Sequence, residues 1–175
     1  ALEQFDYSDA AAAFREALRI DGALAIAHVN LSLALLYSQD HPAAAREADA
    51  AARLLPSAPQ PHYLLGLIAR AENRNADALR EFERVRQLDP ADVGTAINLG
   101  QIYLEQQQYE AAIPLLQAAT AAEPYNITAA YNLGLALTRS GHTDEGSRML
   151  QGAQALRATG YAVTYGTGYL EQGRY

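Results

Sequence analysis

Apolar and small residues recur along this chain with a period of 34 residues. A leucine falls at the same point of each period, and a small residue follows it directly. These positions are Leu31, Leu65, Leu99 and Leu133, followed by Ser32, Gly66, Gly100 and Gly134. A second set of small residues comes twelve positions after the first, at Ala44, Ala78, Ala112 and Gly146. A regular period of this length indicates a supersecondary unit that is stacked several times.

Further columns indicate that each unit is a pair of helices. Four residues beyond the second small column, most positions are large and apolar, at Phe14, Ala48, Phe82, Leu116 and Leu150. Small residues let two helices cross closely, and larger apolar residues fill the space between neighbouring pairs. A proline then closes most units, and proline ends a helix because it lacks the N–H group and disfavours helix in the preceding residue. These prolines are Pro56, Pro90 and Pro124.

We therefore predict an all-α chain without a sheet. Helices are expected at about residues 8–20, 24–37, 42–54, 60–72, 76–88, 93–106, 109–121, 127–140, 143–156 and 160–172. Asp92 and Asn126 precede two of these helices and are expected to cap them, as are Ser8 and Asn75 for theirs.

The segment from Val93 to Asn126 resembles the tetratricopeptide repeat family. The matching residues are Leu99, Gly100, Tyr103, Ala112, Leu116, Ala119 and Pro124. The resemblance covers essentially the whole chain and implies a right-handed superhelical solenoid of antiparallel helix pairs. It places four full repeats at residues 25–58, 59–92, 93–126 and 127–158, flanked by partial repeats at 1–24 and 159–175. All of these are expected to form one solenoid.

The composition of the chain argues against several kinds of binding site and partner. The net charge is −7 and no lysine occurs, so an extended phosphate-binding surface and a nucleic-acid partner are disfavoured. The chain has no cysteine, which excludes disulfides, thiolate metal sites and a cysteine nucleophile. No apolar run has the roughly 18 residues of a membrane span, and no signal peptide is recognisable. The compartment stays open, and we interpret the arginine-only, alanine-rich composition as bacterial.

No catalytic or metal-binding constellation is evident in the sequence. His28 and His62 share a column, so their imidazoles could lie on adjacent helices, but no third ligand follows at helical spacing. Charged residues are scattered along the second helix of each predicted helix pair. This is typical of a solvent-exposed helix face with some ion pairs between residues i and i+4. We predict a non-enzymatic protein without cofactor or metal.

In arrays of this family the first helix of each repeat lines a concave groove, and this groove binds peptides or helices. By that resemblance the peptide-binding residues are Asn30, Tyr63, Leu67, Asn98, Gln101, Tyr131, Asn132 and Leu135. A carboxamide carries both donor and acceptor, so an Asn ladder suits an extended backbone. Alternatively, the Asn side chains bond to the neighbouring repeat and the tyrosines pack between helices. The leading hypothesis is a protein-interaction scaffold or adaptor with a protein or peptide ligand.

A second hypothesis is self-association of the array end to end. Repeat proteins need polar caps, and neither end of this chain shows one. The residues expected to make that contact are Phe14, Leu18, Tyr161, Tyr165 and Tyr169. A third interpretation is that the chain is an excerpt from a longer array, since versions of the same seven residues begin and end it.

Two sequons, at Asn30 and Asn126, raise the question of glycosylation. We expect Asn30 to lie inside the groove and to stay unmodified. We expect Asn126 to lie in an exposed turn, where it would be available in an exported protein.

Overall fold

The computed structural model describes residues 7–159. Within that range the chain is helical and contains no strand. The helices are α1 (Tyr7–Ile20), α2 (Ala25–Tyr37), α3 (His41–Leu54), α4 (Pro59–Ala71), α5 (Asn75–Leu88), α6 (Val93–Glu105), α7 (Tyr109–Ala122), α8 (Ile127–Arg139) and α9 (Thr143–Ala158). Every end lies within two residues of its predicted position, which confirms the all-α class. The helix predicted at 160–172 lies outside the described residues.

The helices belong to two compact units, one up to Asp89 and one from Pro90 onward. In unit 1, which holds α1 to α5, α2 packs on α3, α4 packs on α5, and α1 lies against α2. In unit 2, which holds α6 to α9, α6 packs on α7, α8 packs on α9, and the first helices α6 and α8 also touch. The predicted helix pairs are therefore present within each unit.

Glycines in first helices make room for large residues of second helices. A Cβ placed on Gly66 would lie 2.6 Å from the ring of Phe82, and one placed on Gly100 would lie 2.7 Å from Leu116. Both distances are well below van der Waals contact, so the two helices can approach this closely only without that carbon. Phe82 and Leu116 are fully buried as a result.

The pair formed by α2 and α3 has different residues at the two corresponding positions. Ser32 takes the glycine position, and Ala48 takes the position of the large residue. Both are 0% exposed, so this helix pair buries the two positions without a large residue at either. The buried Ser32 hydroxyl donates to the carbonyl oxygen of Ala44 at 2.9 Å, which satisfies its hydrogen-bonding need.

Among α2 to α9, whose preceding residues are described, three helices start with a side-chain cap. Asp92 and Asn126 behave as predicted, since they accept hydrogen bonds from the backbone N–H groups of Thr95 and Ala129. Asp40, which sequence reasoning missed, caps α3 in the same way. The predictions for Ser8 and Asn75 are wrong, because both residues lie inside their helices. Asn75 is the first residue of α5, one position too late to cap it.

The turn inside each helix pair holds one residue with a left-handed backbone. The φ values are 62° at Gln39, 59° at Asn73, 60° at Gln107 and 95° at Gly141. In the turn after α6, the N–H of Gln108 donates to the carbonyl oxygen of Tyr103 at 2.8 Å, as in a Schellman motif. Glycine adopts this conformation freely, whereas a glutamine there carries a steric cost of roughly 1–2 kcal/mol.

Replacing Gln107 with Gly is therefore expected to raise the free energy of unfolding by roughly 0.5–1 kcal/mol. The relief of the left-handed strain exceeds the entropy that glycine loses on folding. Urea denaturation followed by circular dichroism measures the change. The matched control is Gln106→Gly, because Gln106 precedes it in the same turn with φ −82°. The control should lose stability, and an equal loss at Gln107 would contradict the assignment of strain.

Candidate functional site

The first-helix face of unit 1 carries three of the predicted groove residues. Asn30 on α2 and Leu67 on α4 are half-buried, so part of each side chain reaches the surface. Tyr63 is only 1% exposed. Its ring packs edge-on against Phe82, with the ring centroids 5.7 Å apart. The structure therefore places Tyr63 in the core. Its side chain is not exposed, so it does not support the predicted contact with a ligand.

In unit 2, Asn98 on α6 makes a hydrogen bond within its own helix. The side chain is 4% exposed, and its Nδ2 donates to the carbonyl oxygen of Gly94, one turn earlier, at 3.0 Å. Gln101, one turn later, is half-buried and has a partner of its own. The Nδ2 of Asn98 thus has a structural bond within its own helix.

Asn132 on α8 occupies the same column as Asn98 but is bonded differently. It is 9% exposed, and among the described residues its Nδ2 has no hydrogen-bond partner. A buried donor without a partner costs roughly 1–3 kcal/mol, which makes such atoms rare in folded chains. Of the two carboxamides in this column of unit 2, Asn132 is the one with an unused donor.

Tyr131 lies beside Asn132 in the sequence and is exposed. Its side chain is 54% exposed, which is unusual for an aromatic residue within a helix. Leu135, one helical turn further along α8, is half-buried. The predicted residues on α8 thus combine an exposed ring, an aliphatic side chain and an unpaired amide donor.

Sequence reasoning missed the α9 residues that lie next to Tyr131. A cavity of about 370 Å³ is lined by Ile127, Tyr131, Leu150, Ala153, Gln154 and Arg157. Leu150 and Ala153 fall in the packing columns, and we interpreted them only as core. Nothing in the sequence spacing connects Arg157 to Tyr131. Their proximity follows from the packing of α9 on α8.

The two histidines considered as metal ligands each bond to a glutamate instead. Nδ1 of His28 lies 2.6 Å from Oε2 of Glu47, and Nδ1 of His62 lies 2.8 Å from Oε2 of Glu81. These contacts join the two helices within each pair of unit 1. Both glutamates follow their histidine by 19 residues, a repeated spacing that could have revealed the pairing. In the described part of the chain, no cluster of three or more His, Cys, Asp or Glu side chains could hold a metal ion.

Exposed charges form local ion pairs along the helices. The pKa of Asp77 is lowered mainly by a hydrogen bond from Arg74 and to a smaller extent by one from Arg80. A lowered carboxyl pKa adds stability above the pKa of the unfolded chain, and that stability is lost as the pH falls through the folded-state value. Arg74 and Asp77 are 48% and 32% exposed, so water screens the pair and its contribution is small. Arg80 also pairs with Asp77, at i,i+3.

Asn126 is not available as a glycosylation site in the folded chain. We expected an exposed turn, but the residue is 0% exposed. Its Oδ1 accepts the cap bond from Ala129, and its Nδ2 donates to Glu123 at 2.8 Å. Both ends of the carboxamide are therefore engaged. The expectation was wrong because the cap draws the side chain into the start of α8.

The residues predicted to make end-to-end contacts fall partly outside the described range. Phe14 and Leu18 on α1 are half-buried. Tyr161, Tyr165 and Tyr169 lie outside the described residues, so the contact stays a prediction. The structure adds Ile20, at the end of α1, which is 76% exposed.

Sequence profiles identify the class of helical repeat. One tetratricopeptide repeat profile matches residues 69–124 and 103–160, and another matches residues 1–59 and 29–93. Together these matches span most of the chain and repeat along it, as the 34-residue period does. The chain belongs to the tetratricopeptide repeat family. This family is in general a non-enzymatic protein-interaction module.

Solved structures with the same fold include several repeat proteins. A MamA double mutant, "MamA RS-1 ArsTM", aligns with a TM-score of 0.79 at 22% identity, over 87% of this chain and 86% of its own. MamA from Desulfovibrio magneticus RS-1, residues 41 to the end, aligns with a TM-score of 0.72 at 28% identity, over 77% and 76%. YrrB, described as a TPR protein with an unusual peptide-binding site, aligns with a TM-score of 0.78 at 22% identity, over 94% and 86%.

No curated protein sequence matches this chain significantly. Among the described helices, none has the length and apolar character that crossing a bilayer requires.

Proposed function

We propose that this chain binds a segment of another protein on the surface formed by Tyr131, Asn132 and Leu135 of α8. The observation that carries the proposal is the Nδ2 of Asn132, a buried donor without a partner in residues 7–159. This Nδ2 is enclosed, so a bound chain reaches it only when the Asn132 side chain turns outward, and an acceptor supplied there would remove the cost of leaving the donor unpaired.

The backbone of an extended peptide is a suitable source of that acceptor. Its carbonyl groups are unpaired in solution, and grooves that bind extended segments use such groups for affinity. Tyr131 supplies apolar area and a hydroxyl at low entropic cost, which is why tyrosine is frequent at binding hot spots. Leu135 extends the apolar contact along the same helix.

The family and its solved members support a protein-interaction role. YrrB is described as having a peptide-binding site, and it shares the fold of this chain at 22% identity. At that identity the likeness indicates the fold alone, so the proposed residues rest on the geometry of α8.

The proposal is tested by selecting short random peptides, displayed on phage, for binding to the full chain. The strongest peptide is then titrated by isothermal calorimetry. Replacing Tyr131 with Ala is expected to weaken binding by roughly thirtyfold, the effect of losing about 2 kcal/mol at a hot spot. The matched control is Tyr125→Ala, because Tyr125 is 61% exposed but lies in the turn before α8.

Retained affinity in the Tyr125 variant would show that the loss is local to α8. Equal losses in both variants, or none in either, would contradict this binding surface. Failure to select any peptide would count against the proposed function itself.

A further inference from the structure

The turn between α1 and α2 contains the only Asp–Gly dipeptide of the chain. No other aspartate, and no asparagine, is followed by glycine. Asp21 and Gly22 are both exposed, so water has access to the peptide bond between them. Glycine has no Cβ to shield its backbone nitrogen, and a preceding aspartyl side chain can therefore react with that nitrogen. The dipeptide is thus a position at which the backbone itself can be modified.

The hydrogen bonds of this turn leave the glycine nitrogen available. Within residues 7–159 the N–H of Gly22 has no acceptor, whereas the N–H groups of Asp21 and Ala23 on either side are both bonded. Ala23 donates to Oδ1 of Asp21 at 2.9 Å, which holds the carboxyl group against the backbone of the turn. The carboxyl group and the unbonded N–H therefore belong to adjacent residues of an exposed turn.

Later repeats block the same reaction because proline takes the position of Gly22. These prolines are Pro56, Pro90 and Pro124. The turns are closed alike, since the N–H of Leu24 donates to the carbonyl oxygen of Asp21 at 3.2 Å and that of Ala58 makes the equivalent bond at 3.0 Å. An aspartate also precedes Pro90, but a proline nitrogen carries no hydrogen and cannot close a ring by losing one. The first turn is therefore the reactive member of the set.

We infer that Asp21 is a site of spontaneous isomerisation to isoaspartate. The Gly22 nitrogen attacks Cγ of the Asp21 carboxyl group, and a C–N bond forms while the N–H proton and the carboxyl hydroxyl leave together as water. Water then adds to one of the two carbonyl groups of the resulting five-membered succinimide. Opening at the former main-chain carbonyl gives isoaspartate, in which the chain runs through Cβ and Cγ. Water is released and then consumed, so the reaction needs no oxidant or cofactor.

The product lengthens the turn by one backbone carbon. The main-chain carbonyl of Asp21, which accepts from Leu24, becomes a free carboxylate beside the chain. The carbonyl oxygen of Gly22 lies 3.2 Å from Nε2 of His28, and the longer turn displaces it. The other ring nitrogen of His28 contacts Glu47 of α3 at 2.6 Å, so this ring joins the turn to the next helix pair. The modified chain should therefore hold α1 less firmly, and this effect is independent of the binding surface on α8.

Ageing of the full chain tests the inference. The purified protein is kept at neutral pH and body temperature for several weeks, then denatured and digested with Asp-N, a protease that cuts before aspartate but not before isoaspartate. The modified fraction should resist cutting before Asp21 and should still be cut before Asp40, the next aspartate. A methyltransferase specific for isoaspartate should label the same fraction. Complete cutting before Asp21 after ageing, or isoaspartate only at other positions, would overturn the inference.

Two variants at Gly22 provide matched controls. A Cβ added there would lie 3.6 Å from the carbonyl oxygen of Leu18, an ordinary contact, so Gly22→Ala should fold normally and form isoaspartate several-fold more slowly. Gly22→Pro copies the later turns and should form none at Asp21. Equal yields in the wild type and Gly22→Pro would contradict the mechanism. Ageing should also lower the urea midpoint of the wild type but not of Gly22→Pro, and an unchanged midpoint in modified wild type would contradict the loosening of α1.

Discussion

Replacing Phe82 with Ala is expected to lower the free energy of unfolding by about 3–5 kcal/mol. The ring is 0% exposed, lies over Gly66 and packs against Tyr63, so its removal leaves a cavity that the neighbouring helices cannot fully close. Urea denaturation followed by circular dichroism measures the loss. A change below about 1 kcal/mol would contradict the assignment of Phe82 to the core between α4 and α5.

A double variant tests whether the glycine and the large residue are matched to each other. Gly66→Ser alone should cost about 1–3 kcal/mol, because its Cβ would collide with the Phe82 ring. Gly66→Ser combined with Phe82→Ala reproduces the Ser32 and Ala48 arrangement of the neighbouring pair. We expect the double variant to lose clearly less than the sum of the single losses. Strict additivity would show that the two positions do not share the same space.

Replacing Gly146 with Ala is expected to cost about 1–3 kcal/mol, toward the upper end of that range. A Cβ there would lie 2.7 Å from the carbonyl oxygen of Gly134 and 2.7 Å from the backbone nitrogen of Thr138. Backbone atoms inside a helix cannot turn aside as a side chain can. Relief would require α8 and α9 to separate, which loosens the packing along both helices. Thermal and urea unfolding of the variant measure the effect.

Gly152 provides the control for this substitution. It lies on the same helix, and an added Cβ would meet nothing within 4 Å. Gly152→Ala should therefore raise stability by roughly 0.5–1 kcal/mol, because alanine favours the helix more than glycine does. Similar effects at both positions would mean that helix propensity, rather than the close contact, determines the outcome.

The sequence predicted the helix pairs because their determinants are local and periodic. Each closely spaced helix crossing needs a small residue, and each second helix needs a large one, so the columns appear in the printed sequence. The helix ends followed from prolines and caps such as Asp92 and Asn126. Departures such as Ser32 in the glycine column and Ala48 in the large column blur the pattern without breaking it.

The candidate site could be predicted only in part, because the direction of a side chain depends on packing that periodicity does not show. Asn98 and Asn132 share a column, yet only Asn98 donates from Nδ2 to its own helix. Tyr63 is buried and Tyr131 is 54% exposed, although both are tyrosines two periods apart. Arg157 meets Tyr131 only through the packing of α9 on α8.

The central claim is that a protein segment binds at the unused donor of Asn132. The most direct test is to observe the side-chain NH₂ resonances of Asn132 and Asn98 by nuclear magnetic resonance while the selected peptide is added. Our account predicts a large downfield shift of an Asn132 amide proton, since it gains an acceptor, and little change at Asn98. An Asn132 resonance that stays unchanged at saturation with bound peptide would contradict it.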